Sequence, residues 1–357
     1  MSDERKYQKR VLITGGTGFI GSCLAMELLN RSDDVAVILA DRNPDRRRLT
    51  GFSQHFDRVK DRVTFVQCDL GLETHVLALF DKHEPTSVFH LGAILSAGAD
   101  ANPTQGFQVD LVGTRHVLEA TRLYGQHYKA PPVKVIFPST IASFGLFIPP
   151  GQLVPNEAVQ MPTTIYGISK VASERLGEYY SSRKPDPWVD FRAVRFPSVI
   201  GAARGPGGTT VYSTLMIQEP VRGKPYEAYV NEDTRLDILY VKDAVRALLG
   251  LHDADNAKLK RRVYNIAGIR INGQAPTAGD IKNAVQAVRP NAAPITFKLN
   301  QPLLDIVHTF GILDDTVARE EWGWKGEWLD LRRAVGDFAN EVETFPARIL
   351  SLDLFSG

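Results

Sequence analysis

Val11-Leu12-Ile13-Thr14-Gly15-Gly16-Thr17-Gly18-Phe19-Ile20-Gly21 is the stretch whose reading decides the fold. A short apolar run ends in a glycine turn, and apolar periodicity from Phe19 to Leu29 predicts a helix directly after it. The order is strand, tight turn, helix. Gly15, Gly18 and Gly21 recur at every third position. Glycine serves three ends in such a turn: a sharp bend, close backbone approach to a pyrophosphate, and close packing of the helix. The helix start then offers free N–H groups and the positive end of its dipole to phosphate.

Working outward, the apolar run from Val35 ends in Asp41. A carboxylate about twenty residues past the glycine turn accepts the adenosine ribose hydroxyls and repels a 2′-phosphate, so NAD is expected rather than NADP. Arg42, next in the chain, is the one neighbour that could meet a 2′-phosphate. A further run ends in Cys68-Asp69-Leu70, where Asp69 either bonds the adenine amino group or caps a helix. Strands are expected at 10–14, 35–40, 63–67, 87–91, 133–138, 190–196 and 262–267, and helices near 18–30, 72–83, 106–127, 163–183 and 241–252. That alternation specifies an α/β chain, a Rossmann doubly wound parallel sheet covered on both faces. Pro and Gly gather at 145–162 and 201–225, which predicts loops reaching over a site. The expected organisation is interleaved: a dinucleotide-binding domain from 1–196 and 236–268, and a smaller, largely C-terminal substrate-binding lobe from 197–235 and 269–357.

Chemistry enters with Tyr166 and Lys170, one helical turn apart on the same face of a predicted helix. A phenol with a free pKa of about 10 is a poor base near neutrality, and a neighbouring ammonium favours its ionised form. Thr140, at the end of a separate strand, can hold a substrate oxygen against that phenol. The three groups can move a proton on or off an alcohol while a nicotinamide takes the hydride.

Composition fits a globular enzyme of 357 residues with net charge +1, which favours neither nucleic acid nor an anionic membrane as partner. The Arg46-Arg47-Arg48 run reads as a solvated loop, and the charged first ten residues as a disordered tail without a signal peptide. Two cysteines, Cys23 and Cys68, suggest a reducing, cytoplasmic setting. No apolar stretch approaches the roughly 20 residues of a membrane helix. The eight histidines are scattered, so no metal site is expected, and His90 reads as structural.

Gly15-x-x-Gly18-x-x-Gly21, His90-Leu91-Gly92-Ala93, Ser139-Thr140, Tyr166-x-x-x-Lys170, Arg195-Phe196-Pro197 and Tyr240-Val241-Lys242-Asp243 together resemble the extended short-chain dehydrogenase/reductase family, the NAD-dependent epimerase/dehydratase type, over nearly the whole chain. The resemblance implies Tyr166 as general acid/base, Lys170 as ribose anchor and pKa modifier, and Thr140 as the hydroxyl on the reacting oxygen. It implies NAD contacts from Gly15, Thr17, Gly18, Phe19, Ile20, Asp41, Arg42, Asp69, Leu70, Leu91, Gly92, Ala93, Ser139, Tyr166, Lys170, Pro197 and Val199. Asp110 stands where many members carry Asn, which departs from the family's proton relay. An apolar helix face through Ala172, Leu176, Tyr179 and Tyr180 implies a homodimer.

Within that family Ala93–Ala97, Pro138–Gly145, Thr164–Lys170, Pro206–Thr210, Leu313–Thr316 and Trp322-Gly323-Trp324 are similar to the short-chain type of L-threonine 3-dehydrogenase. By that likeness Ser96, Thr140, Tyr166, Thr209 and Thr210 bind a small-molecule substrate whose secondary alcohol becomes a ketone. Val211 replaces the subgroup's acidic residue and Thr309-Phe310 replaces its Trp-Pro. Both changes are expected in the pocket, where valine would leave a substrate ammonium unpaired, and they open the substrate to another hydroxy acid or sugar acid. A nucleotide-sugar 4-epimerase with tightly held NAD is the alternative, and an NAD-sensing protein without catalysis a third reading.

Overall fold

The computed structural model describes residues 6–129, 131–145, 148, 151–183, 188–205 and 207–353. Seven strands form its central sheet: β1 (Lys9–Thr14), β2 (Val35–Asp41), β3 (Val63–Gln67), β4 (Ser87–His90), β5 (Val133–Thr140), β6 (Val189–Phe196) and β7 (Val263–Asn265). Their order is β7-β6-β5-β4-β1-β2-β3, and every pairing is parallel. The runs are largely apolar because both faces are covered. Val11, Ile13, Val37, Leu39, Phe89 and Ile136 enter one core, while Leu12, Ile38, Val88, Val135 and Phe137 enter the other.

Eight longer helices complete the fold: α1 (Phe19–Arg31), α2 (Glu73–His83), α3 (Gly113–Tyr128), α4 (Ile165–Ser182), α5 (Tyr212–Val221), α6 (Val241–Asp253), α7 (Ala278–Val288) and α8 (Leu331–Thr344). Leu24 and Leu28 of α1 share the first core with Val245 and Leu248 of α6, whereas Val76, Val117 and Tyr180 of α2, α3 and α4 close the second. Helices α5, α7 and α8 pack on one another, and the short parallel pair Tyr226–Ala228 with Ile295–Phe297 ties the 197–235 segment to the C-terminal portion.

The chain departs from β1 toward β2 and β3, then returns to β4 on the other side of β1. Strand order reverses there, and in such sheets ligands settle outside the carboxyl ends of the two strands. Two local features bear on the site. Pro103–Phe107, a π-turn at Gln108–Val112 and α3 run head to tail, and the π-turn sets Asp110 inward. The Gly-rich 201–225 stretch is not all loop: it contains α5, with Pro220 tolerated in the last turn.

Three expectations need correction. Lys9 and Arg10, expected in a disordered tail, belong to β1 and pair with Val35 and Ala36; residues 1–5 lie outside the described residues, as does Pro206. The Arg46–Arg48 run is not uniformly solvated, because the short helix Arg47–Thr50 turns Arg48 back toward the glycine turn, where its Nη1 meets the Thr17 carbonyl at 3.4 Å. Val211 is buried in the first core beside α5 rather than in the pocket. No helix among the described residues is long and apolar enough to cross a membrane.

Candidate active site

A crevice of about 900 Å³ runs across the carboxyl ends of the strands. At its centre the chain passes close to itself. Gly15 has φ +63°, and a Cβ there would sit 2.8 Å from the Gly92 nitrogen, while a Cβ at Gly21 would sit 2.4 Å from the Gly15 carbonyl oxygen. Glycine is therefore a steric requirement at both positions. The Leu91 N–H donates to the Thr14 carbonyl at 3.1 Å and the Gly92 N–H to Thr14 Oγ1 at 3.1 Å, locking the two strand ends together. Helix α1 begins with no side-chain cap and no acid in its first turn. Its leading N–H groups, near Phe19 and Ile20 on the crevice wall, remain available to an anion.

Asp41 ends β2 on the same wall, and the Thr17 hydroxyl donates to its Oδ2 at 2.9 Å. Arg42 and Arg48 line the crevice beside it. Asp69 Oδ1 accepts from the Gly71 N–H at 2.9 Å, so the side chain braces its own turn while Asp69, Leu70, Leu91, Gly92 and Ala93 face the opening. The donor set fits a dinucleotide: a cradle that tolerates no Cβ, an uncapped helix start, and a carboxylate at the end of the second strand.

The reacting end is built from three elements. β5 delivers Thr140, whose Oγ1 accepts from the Ala142 N–H at 3.1 Å and lies within hydrogen-bonding reach of Tyr166. α4, capped by Thr164 accepting from the Gly167 N–H at 3.0 Å, carries Tyr166 and Lys170. Lys170 Nζ donates to the Pro138 carbonyl at 2.8 Å and lies 4.2 Å from the Phe137 ring centroid and 5.5 Å from that of Tyr166. The spacing of four residues thus does what the sequence requires of it: ammonium and phenol share one face and one cavity. Ser139 also lines the crevice, yet its hydroxyl donates to Glu174 Oε1. Glu174 in turn accepts from Arg195 Nε at 2.9 Å and Nη2 at 2.7 Å, an ion pair that clamps α4 to β6. The Arg195-Phe196-Pro197 segment owes its arginine to this clamp.

Burial dominates the electrostatics. It pushes the Tyr166 phenol well above the ordinary phenolic range, the Asp110 carboxylate adds to the rise, and Arg204 and Thr140 oppose it. Burial also pulls the Lys170 ammonium down to about 8, against the attraction of Asp110 and Glu174. His90 is held near 3 by burial and the Lys170 charge. Its Nδ1 meets Thr14 Oγ1 at 2.7 Å and its Nε2 meets Thr114 Oγ1 at 3.0 Å. A neutral imidazole with both nitrogens engaged is structural.

Arg204 is the residue that sequence reasoning missed. It lines the crevice in the Gly-rich loop before α5, where Nη1 donates to the Val199 carbonyl at 2.8 Å and Nη2 approaches Thr210 Oγ1 at 3.5 Å. Among the described residues no carboxylate forms an ion pair with it, and burial lowers its pKa to about 10. Ala203 beside it has φ +67°, held by its N–H to Gln218 Oε1 at 3.1 Å. The only advance signal was a lone arginine among glycines with no acid near it in sequence.

Ser96, Thr209 and Thr210 also line the crevice, with Thr210 bonded to the Ser198 hydroxyl at 2.8 Å. Pro197, Ser198 and Val199 border its floor. Asp305, Ile306, Thr309 and Phe310 form the outer wall, so the Thr309-Phe310 departure does fall in the pocket. Among the described residues no group of His, Cys, Asp or Glu is arranged to hold a metal ion.

Residues 11–267 match the NAD dependent epimerase/dehydratase family. The chain is 32% identical over 337 residues to the mitochondrial L-threonine 3-dehydrogenase of Bos taurus, covering 93% of this chain and 82% of that protein. Among solved structures, the holo form of a GalE-like L-threonine dehydrogenase from Cupriavidus necator superposes with a TM-score of 0.80 at 32% identity, over 93% of this chain and 99% of that one. A monomeric L-threonine 3-dehydrogenase from a metagenome gives 0.77 at 27% identity, over 97% and 100%. With a dinucleotide cradle at the sheet's switch point and a match across most of its length, the chain belongs to the NAD-dependent epimerase/dehydratase family and is an NAD-dependent dehydrogenase of the extended short-chain type.

Proposed function

We propose that the protein oxidises the secondary hydroxyl of a small 3-hydroxy acid to a ketone with NAD, and that a 3-hydroxy amino acid of the threonine type is its substrate. The observation that carries this reading is Arg204, a guanidinium at the reacting end of the crevice without an ion-pair partner among the described residues. Partly desolvating a cation in that state is costly unless a ligand supplies the counter-charge. A substrate carboxylate does so, and planar bidentate recognition of a carboxylate is what guanidinium geometry favours. The L-threonine dehydrogenase relatives support the amino acid. Val211, turned into the core, does not itself face a substrate ammonium.

In this reading Gly15, Thr17, Gly18, Phe19, Ile20 and Asp41 hold the adenosine half of NAD, and Leu91 to Ala93, Ser139, Lys170, Pro197 and Val199 the nicotinamide half. When bound, the dinucleotide supplies the hydride acceptor. Thr140 and Tyr166 grip the substrate hydroxyl from two sides, and Tyr166, ionised to the phenolate, takes its proton. Lys170 stays oriented by the Pro138 carbonyl. Ser96, Thr209 and Thr210 set the substrate's position, while Ile306 and Phe310 keep water from the reacting carbon. The 197–235 and 269–357 segments act as the substrate lobe over the dinucleotide domain of 1–196 and 236–268.

A homodimer is part of the proposal, formed by outward faces of α3 and α4. Ile168 and Tyr179 on α4 are about half exposed, as are Leu123 and Tyr128 on α3. Tyr180 does not belong to that face, since it is buried and donates to Glu119 Oε2 at 2.9 Å. The free thiols Cys23 and Cys68 suit the cytoplasm.

The test is a panel of hydroxy amino acids, hydroxy acids and sugar acids with NAD, read as NADH released. Threonine-type substrates should give multiple-turnover NADH, and Tyr166→Phe should abolish it. NADH formation that survives Tyr166→Phe unaltered overturns the mechanism. Isomerised substrate without net NADH marks an epimerase instead.

A further inference from the structure

We propose that Asp110 is a positioning residue that sets the charge state of the Tyr166–Lys170 pair, so that the acid/base chemistry of this chain answers to a buried carboxylate. The inference rests on the reading of Tyr166 as the acid/base group.

The geometry places it. Asp110 lies in the π-turn ahead of α3, 3% exposed, with its backbone carbonyl accepting from the Thr114 hydroxyl at 2.5 Å and facing the Ser173 hydroxyl of α4 at 3.4 Å. Its Oδ1 accepts from the Ile94 N–H at 2.7 Å, which ties it to the crevice wall after β4. Its Oδ2 is buried and has no hydrogen-bond partner among the described residues. A buried carboxylate oxygen in that condition is expensive, and a purely structural tie to Ile94 would be met equally by an amide. What the carboxylate adds is charge, and the groups in its field are Lys170 and Tyr166.

The other charged groups around it are already committed. On α4, Glu174 is paired with Arg195; on α3, Arg115 pairs with Glu73 and His116 with the Leu70 carbonyl. His90, behind Lys170, is neutral. Asp100 accepts from the Ile165 N–H, and the turn Pro103–Phe107 carries no titratable side chain. Arg204 acts on Tyr166 from the substrate side.

Signs follow from these positions. An Asp110 carboxylate holds Lys170 protonated and resists the phenolate; once protonated it releases both effects. Burial lifts its own titration to about 6, close to neutrality.

Asp110→Asn isolates the charge, because the amide oxygen still accepts from Ile94. The measurement is the pH profile of kcat for alcohol oxidation, with thermal unfolding as a check on the fold. Expected is a shift of the rising limb to lower pH by at least about half a pH unit, together with loss of any inflection near pH 6. A folded Asn variant with the parent's profile overturns the proposal while leaving the Tyr166 reading intact, and Tyr166→Phe that retains activity overturns the latter first. Should the variant not fold, an infrared titration of the parent decides: a buried carboxylic acid must lose its proton near pH 6, and a carboxylate ionised throughout refutes the inference.

Discussion

Glu174→Gln is the perturbation that most directly tests how the site is held. Glu174 is fully buried and receives four hydrogen bonds: two from Arg195, one from Ser139 and one from Gln160 Nε2 at 3.0 Å. The amide keeps the side chain's shape but removes the charge and turns an NH₂ toward a donor. Arg195, 3% exposed, is then left as a buried cation with only neutral partners, the Asn156 carbonyl at 2.8 Å and Asn265 Oδ1 at 3.3 Å. Breaking a buried pair in this way costs about 3–5 kcal/mol, a large share of the roughly 5–15 kcal/mol that holds a typical domain folded. Urea unfolding should show a lower midpoint with an unchanged slope. The double variant Glu174→Gln/Arg195→Gln should recover part of the loss, giving a coupling of about 2 kcal/mol or more. A single-variant loss below about 1 kcal/mol would refute the reasoning, since it would put the pair in the range of solvated surface ion pairs.

Three further outcomes follow from single residues. Asp41→Ser should raise the KM for NAD about 10- to 100-fold, the worth of a charged hydrogen bond, and raise the relative use of NADP with Arg42 and Arg48 alongside; steady-state kinetics with both dinucleotides checks it. Ala203→Gly should stabilise the protein by about 1 kcal/mol, because the left-handed backbone there strains any residue with a Cβ, with the gain read from thermal unfolding. Asp110 binds its proton more tightly in the folded chain than in the unfolded one, so its contribution to stability is greatest at low pH and falls as pH rises from 3.8 to about 6. Unfolding free energies should carry a loss of roughly 3 kcal/mol across that window, and the slope should vanish in Asp110→Asn.

Much of this molecule is legible in its sequence, and the reasons are local. Val11 to Gly21 encodes strand, turn and helix because each residue's role is met within a few neighbours. Even the steric need for glycine at position 15 follows from the fold class. Tyr166 and Lys170 could be placed together because helical spacing alone brings them to one face. Arg204 could not be found that way. Its direction depends on the left-handed Ala203 and on Gln218 of α5, two features that no periodicity announces. The same holds for Val211, whose neighbours Thr209 and Thr210 line the crevice while it turns into the core at the start of α5. Motif adjacency suggested a pocket position, and the helix start reversed it. Asp110 was visible as a departure from a family pattern, but its meaning required the π-turn that buries it.

The balance of charge around Tyr166 explains why these hidden residues matter to the chemistry. Two cations, the buried Lys170 and the partly exposed Arg204, border the site of the phenol, and desolvation pulls both below their ordinary range. Asp110 is the one carboxylate raising the phenol's pKa directly. Glu174 is committed to Arg195, so at the reacting end Arg204 keeps an unmet demand for negative charge, and in a low-dielectric site that demand is large. A substrate carboxylate meets it at Arg204, and the phenolate meets it at the reacting centre. The two compete, because a carboxylate that neutralises Arg204 removes the attraction favouring Tyr166 ionisation. Proton uptake by Tyr166 then depends chiefly on Lys170 and the charge of Asp110. The residue that the sequence marks only as a departure is thus left to set the acid/base balance once the substrate is in place.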